Sequence, residues 1–267
     1  MNLLRLKDLV GKFLSPSSGA IKAAEAEMKT IEMSPGFTLC LLSLIQKLCA
    51  SVDPGEVAVR QTASVIFKNA VKTRWNPDDD NILALPDSDR APIKTHLIDL
   101  MCIAPDDVQR QLAEAVAIVA SHDFPEEWGN LLVLLAQKVN QSNGDLGTLK
   151  GVMTTANSVM KRFREAYKTD MLYIVLKKCL EEFQELLLHC FGAVSQRIPA
   201  LTEGGEGTKK ELTVALECLR LMARIYYSLN WQDIPEFFED NIDAWMTEFA
   251  KFLGYSNPLL VDAREDS

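Results

Sequence analysis

The tetrad Asp123-Phe124-Pro125-Glu126 returns as Asp233-Ile234-Pro235-Glu236, and the residues after each copy are apolar at the same offsets. Trp128, Leu132, Leu135 and Val139 follow the first copy, and Phe238, Ile242, Trp245 and Phe249 follow the second. Spacings of three and four residues put each set on one face of an α-helix. Within each tetrad the Asp is placed to accept a first-turn N–H and the Glu to reach back to it. Pro125 and Pro235 stand where a missing N–H costs nothing. Two helices opened alike and in one register predict stacked units, with Trp128 and Phe238 as equivalent buried positions at the starts of outer helices.

Outward from these two copies, period-2 alternation is nearly absent, and segments of period 3.6 follow one another between Pro, Gly, Ser and Asp clusters. Helices are expected over 2–14, 18–32, 37–50, 54–75, 88–103, 106–121, 124–141, 145–167, 170–196, 208–229 and 234–253. They pair into five units plus one opening helix. Asp53-Pro54-Gly55-Glu56 and Thr208-Lys209-Lys210-Glu211 read as capping boxes. Unit spacing brackets the roughly 40–47 residues of HEAT and armadillo repeats. The expected fold is therefore all-α, a right-handed α-solenoid of HEAT-like helix pairs over residues 1–255. Residues 256–267 form a polar, acidic tail at which a longer solenoid is expected to be interrupted. Two loops, 76–87 with Asp78-Asp79-Asp80 and 201–210 with Gly204-Gly205-Glu206-Gly207, are expected to be solvated and mobile.

Composition narrows the function. The 267 residues carry 28 basic and 37 acidic side chains, a net charge of -9, which disfavours a general binder of nucleic-acid phosphates and favours a basic partner. A hydrophobic content of 48% is ample for a core. Six cysteines without a CxxC pair sit inside apolar helical patterns and read as reduced core thiols of an intracellular protein. The first residues interleave charge with apolar side chains, unlike a signal peptide, and no stretch approaches the roughly 18 apolar residues needed to cross a bilayer. A soluble chain without membrane insertion is expected.

Catalytic chemistry finds little support. His96, His122 and His189 are dispersed, no HExxH occurs, and no metal site or cofactor is expected. Adjacent His189 and Cys190 point about 100° apart on a helix and do not make a catalytic pair. The Gly204–Lys210 stretch lacks phosphate-loop spacing, and Asp78–Asp80 lacks the alternating ligands of a calcium loop. Two basic stripes stand out against the acidic average. Arg60, Ser64, Lys68 and Lys72 recur every fourth residue, with Val59, Ala63, Ile66 and Ala70 expected to face inward and Asn69 to pack against a neighbouring helix. Lys161, Arg162, Arg164 and Lys168 form a second, shorter patch.

Three segments carry a resemblance. Ala63-Ser64-Val65-Ile66-Phe67-Lys68-Asn69 with Lys72 and Trp75, then Asp123-Phe124-Pro125-Glu126-Glu127-Trp128, then Tyr227 through Asn241 are similar to the amino-terminal region of the CAS-type exportins. These are the importin-alpha re-exporters of the importin-beta (karyopherin-beta) superfamily. Pro235-Glu236-Phe237-Phe238-Glu239-Asp240-Asn241 points to that branch in particular. The resemblance implies a nuclear transport receptor, not an enzyme, that shuttles between nucleus and cytoplasm. Its implied partners are Ran-GTP and importin-alpha, with nucleoporins a further possibility. It also implies that Ran-GTP is gripped by inner helices of the leading repeats, hence Arg60, Ser64, Lys68 and Lys72 as contacts. Members of the family are several-fold longer, so the chain is expected to be an amino-terminal fragment that binds importin-alpha weakly. A karyopherin for other cargo, a HEAT scaffold without Ran binding and a nucleic-acid binder using the basic stripes are the alternatives.

Overall fold

The computed structural model describes residues 2–261, and among these the regular structure is helical, with no strand. In chain order the helices are α1 (Leu3–Lys12), α2 (Ser18–Ile31), α3 (Phe37–Leu48), α4 (Pro54–Arg74), α5 (Asp87–Ile103), α6 (Asp106–Asp123) and α7 (Leu131–Gln141). After these come α8 (Leu146–Met160), α9 (Asp170–Glu203), α10 (Lys209–Leu229), α11 (Glu236–Asp240), α12 (Ile242–Ala250) and α13 (Pro258–Val261). Short 3-10 turns occupy Lys161–Arg164 and Gly205–Gly207. The fold class is the expected one, all-α and built of HEAT-like helix pairs.

Two compact units share the chain, Met1–Trp128 and Gly129–Ser267. In the first, α3 packs on α4 and α5 on α6. Helix α4 also lies beside α6 and α3 beside α5, so first helices and second helices form separate rows. Helix α1 closes on α3 and α4. The second unit repeats the scheme with α7 on α8 and α9 on α10, α8 beside α10 and α7 beside α9. Helix α12 then packs on α9, and α13 on α10. Asp262–Ser267, the charged part of the expected tail, lie outside the described residues.

Local chemistry sets the helix starts. Asp53 accepts the Glu56 N–H at 2.9 Å and Pro54 occupies the first turn, so α4 begins where its sequence signals. Asp145 does the same for α8, accepting from Thr148 N at 2.7 Å. Helix α3 starts from Gly36, whose φ of 78° is open to glycine at little cost, and its N–H donates to the buried Asp89 carboxylate at 2.7 Å.

Several expectations fail on contact with the tertiary structure. The first tetrad opens no helix: Asp123 ends α6, residues 124–130 are turns, and α7 begins only at Leu131. The second tetrad leads into α11, but Asp233 does not cap it, and a break at Asn241 (φ -106°, ψ 19°) separates α11 from α12. The Thr208 box does not form either. Its hydroxyl donates back to the Leu201 and Gly205 carbonyls, and Glu211 pairs with Arg197. Helix α9 continues past Pro199 to Glu203, so the expected 201–210 loop is mostly helix and 3-10 turn, with Leu201 buried. The 76–87 loop is largely exposed, as expected, including Asp78–Asp80, and is held near its end by the Arg74 bond to Leu83 O and by buried Leu85, whose N–H meets Arg74 O at 2.9 Å.

Burial at the two aromatic positions is nonetheless shared. Trp128 is 3% exposed in the turn before α7, and Phe238 is fully buried in α11, edge-on to Tyr226 and beside Trp245. Replacing either with Ala should cost about 3–5 kcal/mol, the range for a buried aromatic whose site collapses only partly. Urea melts showing less than half of that loss at either position would mean that the neighbouring helices do not depend on it.

Candidate partner-binding surface

The first basic stripe divides once α4 is packed. Arg60 is 4% exposed, and its Nη1 donates to Leu48 O at 2.8 Å, Cys49 O at 2.9 Å and Ser51 O at 3.3 Å. It closes the C-terminus of α3, whose last carbonyls have no partner within their own helix. Ser64 is fully buried, with its hydroxyl bonded back to Gln61 O at 2.7 Å. Neither residue can meet a protein partner, which corrects the expectation for both. The buried face of α4 comprises Val59, Arg60, Ala63, Ser64, Phe67, Val71 and Arg74, whereas Ile66 and Ala70 are only half-buried and Asn69 is exposed. The inward face is thus rotated towards residues that charge and polarity had assigned to solvent.

What α4 exposes is a different line: Gln61, Val65, Asn69 and Lys72, with Lys68 at its edge. Beside it runs α6. Gln61 donates to Asp107, Lys68 Nζ lies 3.7 Å from Glu114, and the Asn76 amide meets His122 Nδ1 at 3.3 Å. These pairs mark where the exposed edges of the two second-row helices meet. Lys68 and Lys72 are the members of the original stripe that reach this surface, and Lys72 is exposed without an ion-pair partner among the described residues. Val65, Gln61 and Asn69 were missed by sequence reasoning. Their signal was a phase shift of one helical position, hidden because Arg60 looked like a surface cation.

The tetrad aspartates have a different role from the expected caps. Asp123, 6% exposed, accepts from Trp75 Nε1 at 2.9 Å and pairs with Lys94 Nζ at 2.6 Å. Lys94 also donates to Glu127 O and lies between the rings of Trp75 and Trp128, 5.9 and 5.8 Å from their centroids. Arg90 stacks over Trp75 at 5.1 Å and donates to its carbonyl. This ties the end of α4, the middle of α5 and the end of α6 through one cation between two indoles.

In the second unit Asp233 accepts from Lys168 Nζ at 3.1 Å and from the Tyr173 hydroxyl at 2.7 Å. The Tyr173 bond, then Lys168, holds the Asp233 carboxyl below its ordinary 3.8, and Asp233 in turn raises both Lys168 and Tyr173. Arg164 donates Nε to Ser228 Oγ at 2.8 Å and Nη2 to Arg224 O at 2.7 Å, with its guanidinium 5.1 Å over Tyr227. Gln232 Nε2 donates to the carbonyls of Phe163 and Ala166. The second basic patch is thus stapled to the end of α10. Lys168 is neutralised, Arg164 is half-buried, Arg162 lies 5.6 Å from the Phe163 centroid, and Lys161 is exposed.

Two absences hold among the described residues. No group of three or more His, Cys, Asp or Glu could share a metal ion, and no helix is long and apolar enough to cross a membrane. Burial pushes the Cys179 and Cys218 thiols up to about 12 and Cys190 to about 11, far from thiolate reactivity at neutral pH.

The rows of paired helices and the Cse1 sequence pattern converge on one family. The importin-beta N-terminal domain matches residues 24–102, and the Cse1 family matches residues 159–267. Along nearly its whole length the chain is similar to the Cse1 branch of the importin-beta superfamily. It is 37% identical over 260 residues to the importin alpha re-exporter of Saccharomyces cerevisiae and 32% identical over 259 residues to exportin-2 of Homo sapiens. Each match covers 97% of this chain, but only 26% and 25% of those relatives. The chain therefore spans about a quarter of their length. A structure of the exportin Cse1 in its cargo-free, cytoplasmic state superposes with a TM-score of 0.86 at 34% identity, covering 98% of this chain and 27% of that one. Lph2, a bidirectional nuclear transport receptor of S. cerevisiae, shares the fold at a TM-score of 0.67 and 20% identity, over 93% of this chain and 24% of its own.

Two outcomes follow from the side-chain geometry. Arg60→Met should keep the surface intact yet destabilise the fold by about 1–3 kcal/mol for each carbonyl left buried without a donor, measurable by chemical denaturation. Wild-type stability in that variant would show that water replaces the guanidinium. Because Asp233 is depressed, its contribution is present above pH 3.8 and lost as pH falls through the folded value. Because Lys168 is raised, its contribution is present below 10.5 and lost as pH rises beyond that. Asp233→Asn should accordingly lower the Tyr173 titration towards 10.0, seen as an earlier phenolate absorbance in alkaline difference spectra.

Proposed function

We propose that the chain is the amino-terminal portion of a nuclear transport receptor that returns importin-alpha from nucleus to cytoplasm in the company of Ran-GTP, and that its first unit supplies part of the Ran contact. The observation that carries this reading is the coincidence of two features. The importin-beta N-terminal domain match covers α2 to α5, and within that span α4 presents an exposed, partly basic edge beside α6. Relatives named importin alpha re-exporter and exportin-2 supply the cargo and the direction of transport.

On this reading the protein binds and releases, and GTP hydrolysis belongs to Ran. The contact surface comprises Lys68 and Lys72 with Gln61, Val65 and Asn69, a set in which two cations give orientation and Val65 gives a small apolar anchor. Importin-alpha binding by this chain alone is weak, since relatives of the chain are about four times longer and their remaining repeats would share the cargo. Residence alternates between nucleus and cytoplasm, and contact with nucleoporins accompanies passage.

Calorimetry with Ran in its GTP and GDP forms tests the reading. Ran-GTP should bind and Ran-GDP should not, and Lys68→Glu with Lys72→Glu should weaken Ran-GTP by about tenfold or more at low salt, mainly by slower encounter. Helical circular dichroism should be unchanged, because neither side chain is buried. Equal affinity of the double variant would remove the assigned surface, whereas equal binding of both nucleotide forms would remove the Ran-dependent function itself.

A further inference from the structure

The end of α10 and the 3-10 turn after α8 build a second surface, separate from the α4 edge. Arg220, Arg224 and Tyr227 are exposed on one face of α10 at helical spacing, and Trp231 is exposed in the bend just after the helix, against Tyr227. Arg220 is held by Glu217 at 2.6 Å, but Arg224 has no carboxylate within ion-pair distance among the described residues, and neither has Lys161 on the adjoining turn. Tyr227 and Trp231 are each 49% exposed, with ring centroids 5.2 Å apart.

This juxtaposition is rigid rather than incidental. Arg164 is fixed by its bonds to Arg224 O and Ser228 Oγ and lies over the Tyr227 ring, which presents that ring edge-on to Trp231. Gln232 and the Lys168–Asp233 pair hold the other side of the strip. Arg164 is committed to α10 and Lys168 to Asp233, which leaves Lys161 and Arg224 without a carboxylate within ion-pair distance among the described residues, in a chain whose net charge is -9. Ion-paired cations and buried aromatics would need no explanation. Cations without carboxylates beside two half-exposed rings are what a ligand with anionic and apolar groups would cover.

We propose that Arg224, Tyr227 and Trp231, with Lys161 on the 3-10 turn that packs against α10, form a ledge that is a docking site for a short acidic protein segment that carries an aromatic or aliphatic side chain between its carboxylates. A peptide fits better than a nucleic acid, because the cationic strip is short and the surrounding protein is acidic, which disfavours a long polyanionic backbone. The carboxylates would meet Lys161 and Arg224, and the apolar side chain would lie against Trp231 and Tyr227.

Trp231 provides its own reporter, since Trp75, Trp128 and Trp245 are buried. The full chain is titrated with a labelled synthetic peptide alternating Glu with Phe and Leu. Matched probes replace Glu with Gln, or Phe and Leu with Gly, and an oligothymidylate serves as the nucleic-acid probe. The acidic, apolar peptide should bind, shield Trp231 from acrylamide quenching and weaken as salt is raised. Lys161→Glu with Arg224→Glu should reduce its affinity about tenfold or more, while Lys22→Glu with Lys29→Glu, a charge-matched change on α2, should leave it unchanged. Trp231→Ala should weaken binding with the thermal midpoint kept. The proposal is overturned if the Gln or the Gly peptide binds equally well, if the ledge variant binds like wild type, if the α2 variant loses as much, or if the oligonucleotide binds more tightly. Because these arms contain no Ran, their failure leaves the α4 surface untouched, and failure of the Ran experiment leaves the ledge untouched.

Discussion

Helix C-termini present carbonyls that their own helices cannot satisfy, and in this protein long side chains from neighbouring helices supply the donors. Arg60 closes α3, Arg74 reaches the carbonyl just beyond α2, and Gln109 donates to Met101 O near the end of α5. Each such residue is buried or half-buried, and each binds two segments at the point where packing alone would leave polar atoms stranded. The apolar stripes bring helices together, but these donors fix how far along one another they slide. Removing Arg60 takes the donor from three carbonyls at once, so the effect reaches a whole helix end.

The same device decides which surface is left for partners. A cation spent on a neighbour's carbonyls is lost to recognition, as with Arg60, or kept only as a scaffold for an aromatic ring, as with Arg164 under Tyr227. The cations with few internal obligations are Lys72 and the loosely held Lys68 in the first unit, and Lys161 and Arg224 in the second. Charge on an acidic protein is thus sorted by burial into a structural set and an exposed set.

The repeated tetrad shows how one sequence motif serves two units without forming the local structure it suggests. Asp123 and Asp233 each accept from a lysine and from an aromatic donor, Lys94 with Trp75 in one case and Lys168 with Tyr173 in the other. The first is buried, with its lysine between two indoles, and the second is exposed. Similar partners thus create a core contact in one unit and a surface clasp in the other.

Helical periodicity, the Asp53 cap and the three family-like segments were legible in the sequence, because each depends on residues within a turn or two of one another. They determined an all-α chain of paired helices and its similarity to the importin-beta proteins. Tertiary structure alone decided that Arg60 and Ser64 face inward, that Asp123 and Asp233 leave their expected caps, that Thr208 bonds backwards and that Pro199 stays inside α9. For Arg60 and Asp123 a distant partner took the side chain because it satisfied buried atoms that water could no longer reach. Periodicity identifies a helix and roughly which side is apolar, but a buried arginine reads as surface until the carbonyls it must satisfy are known.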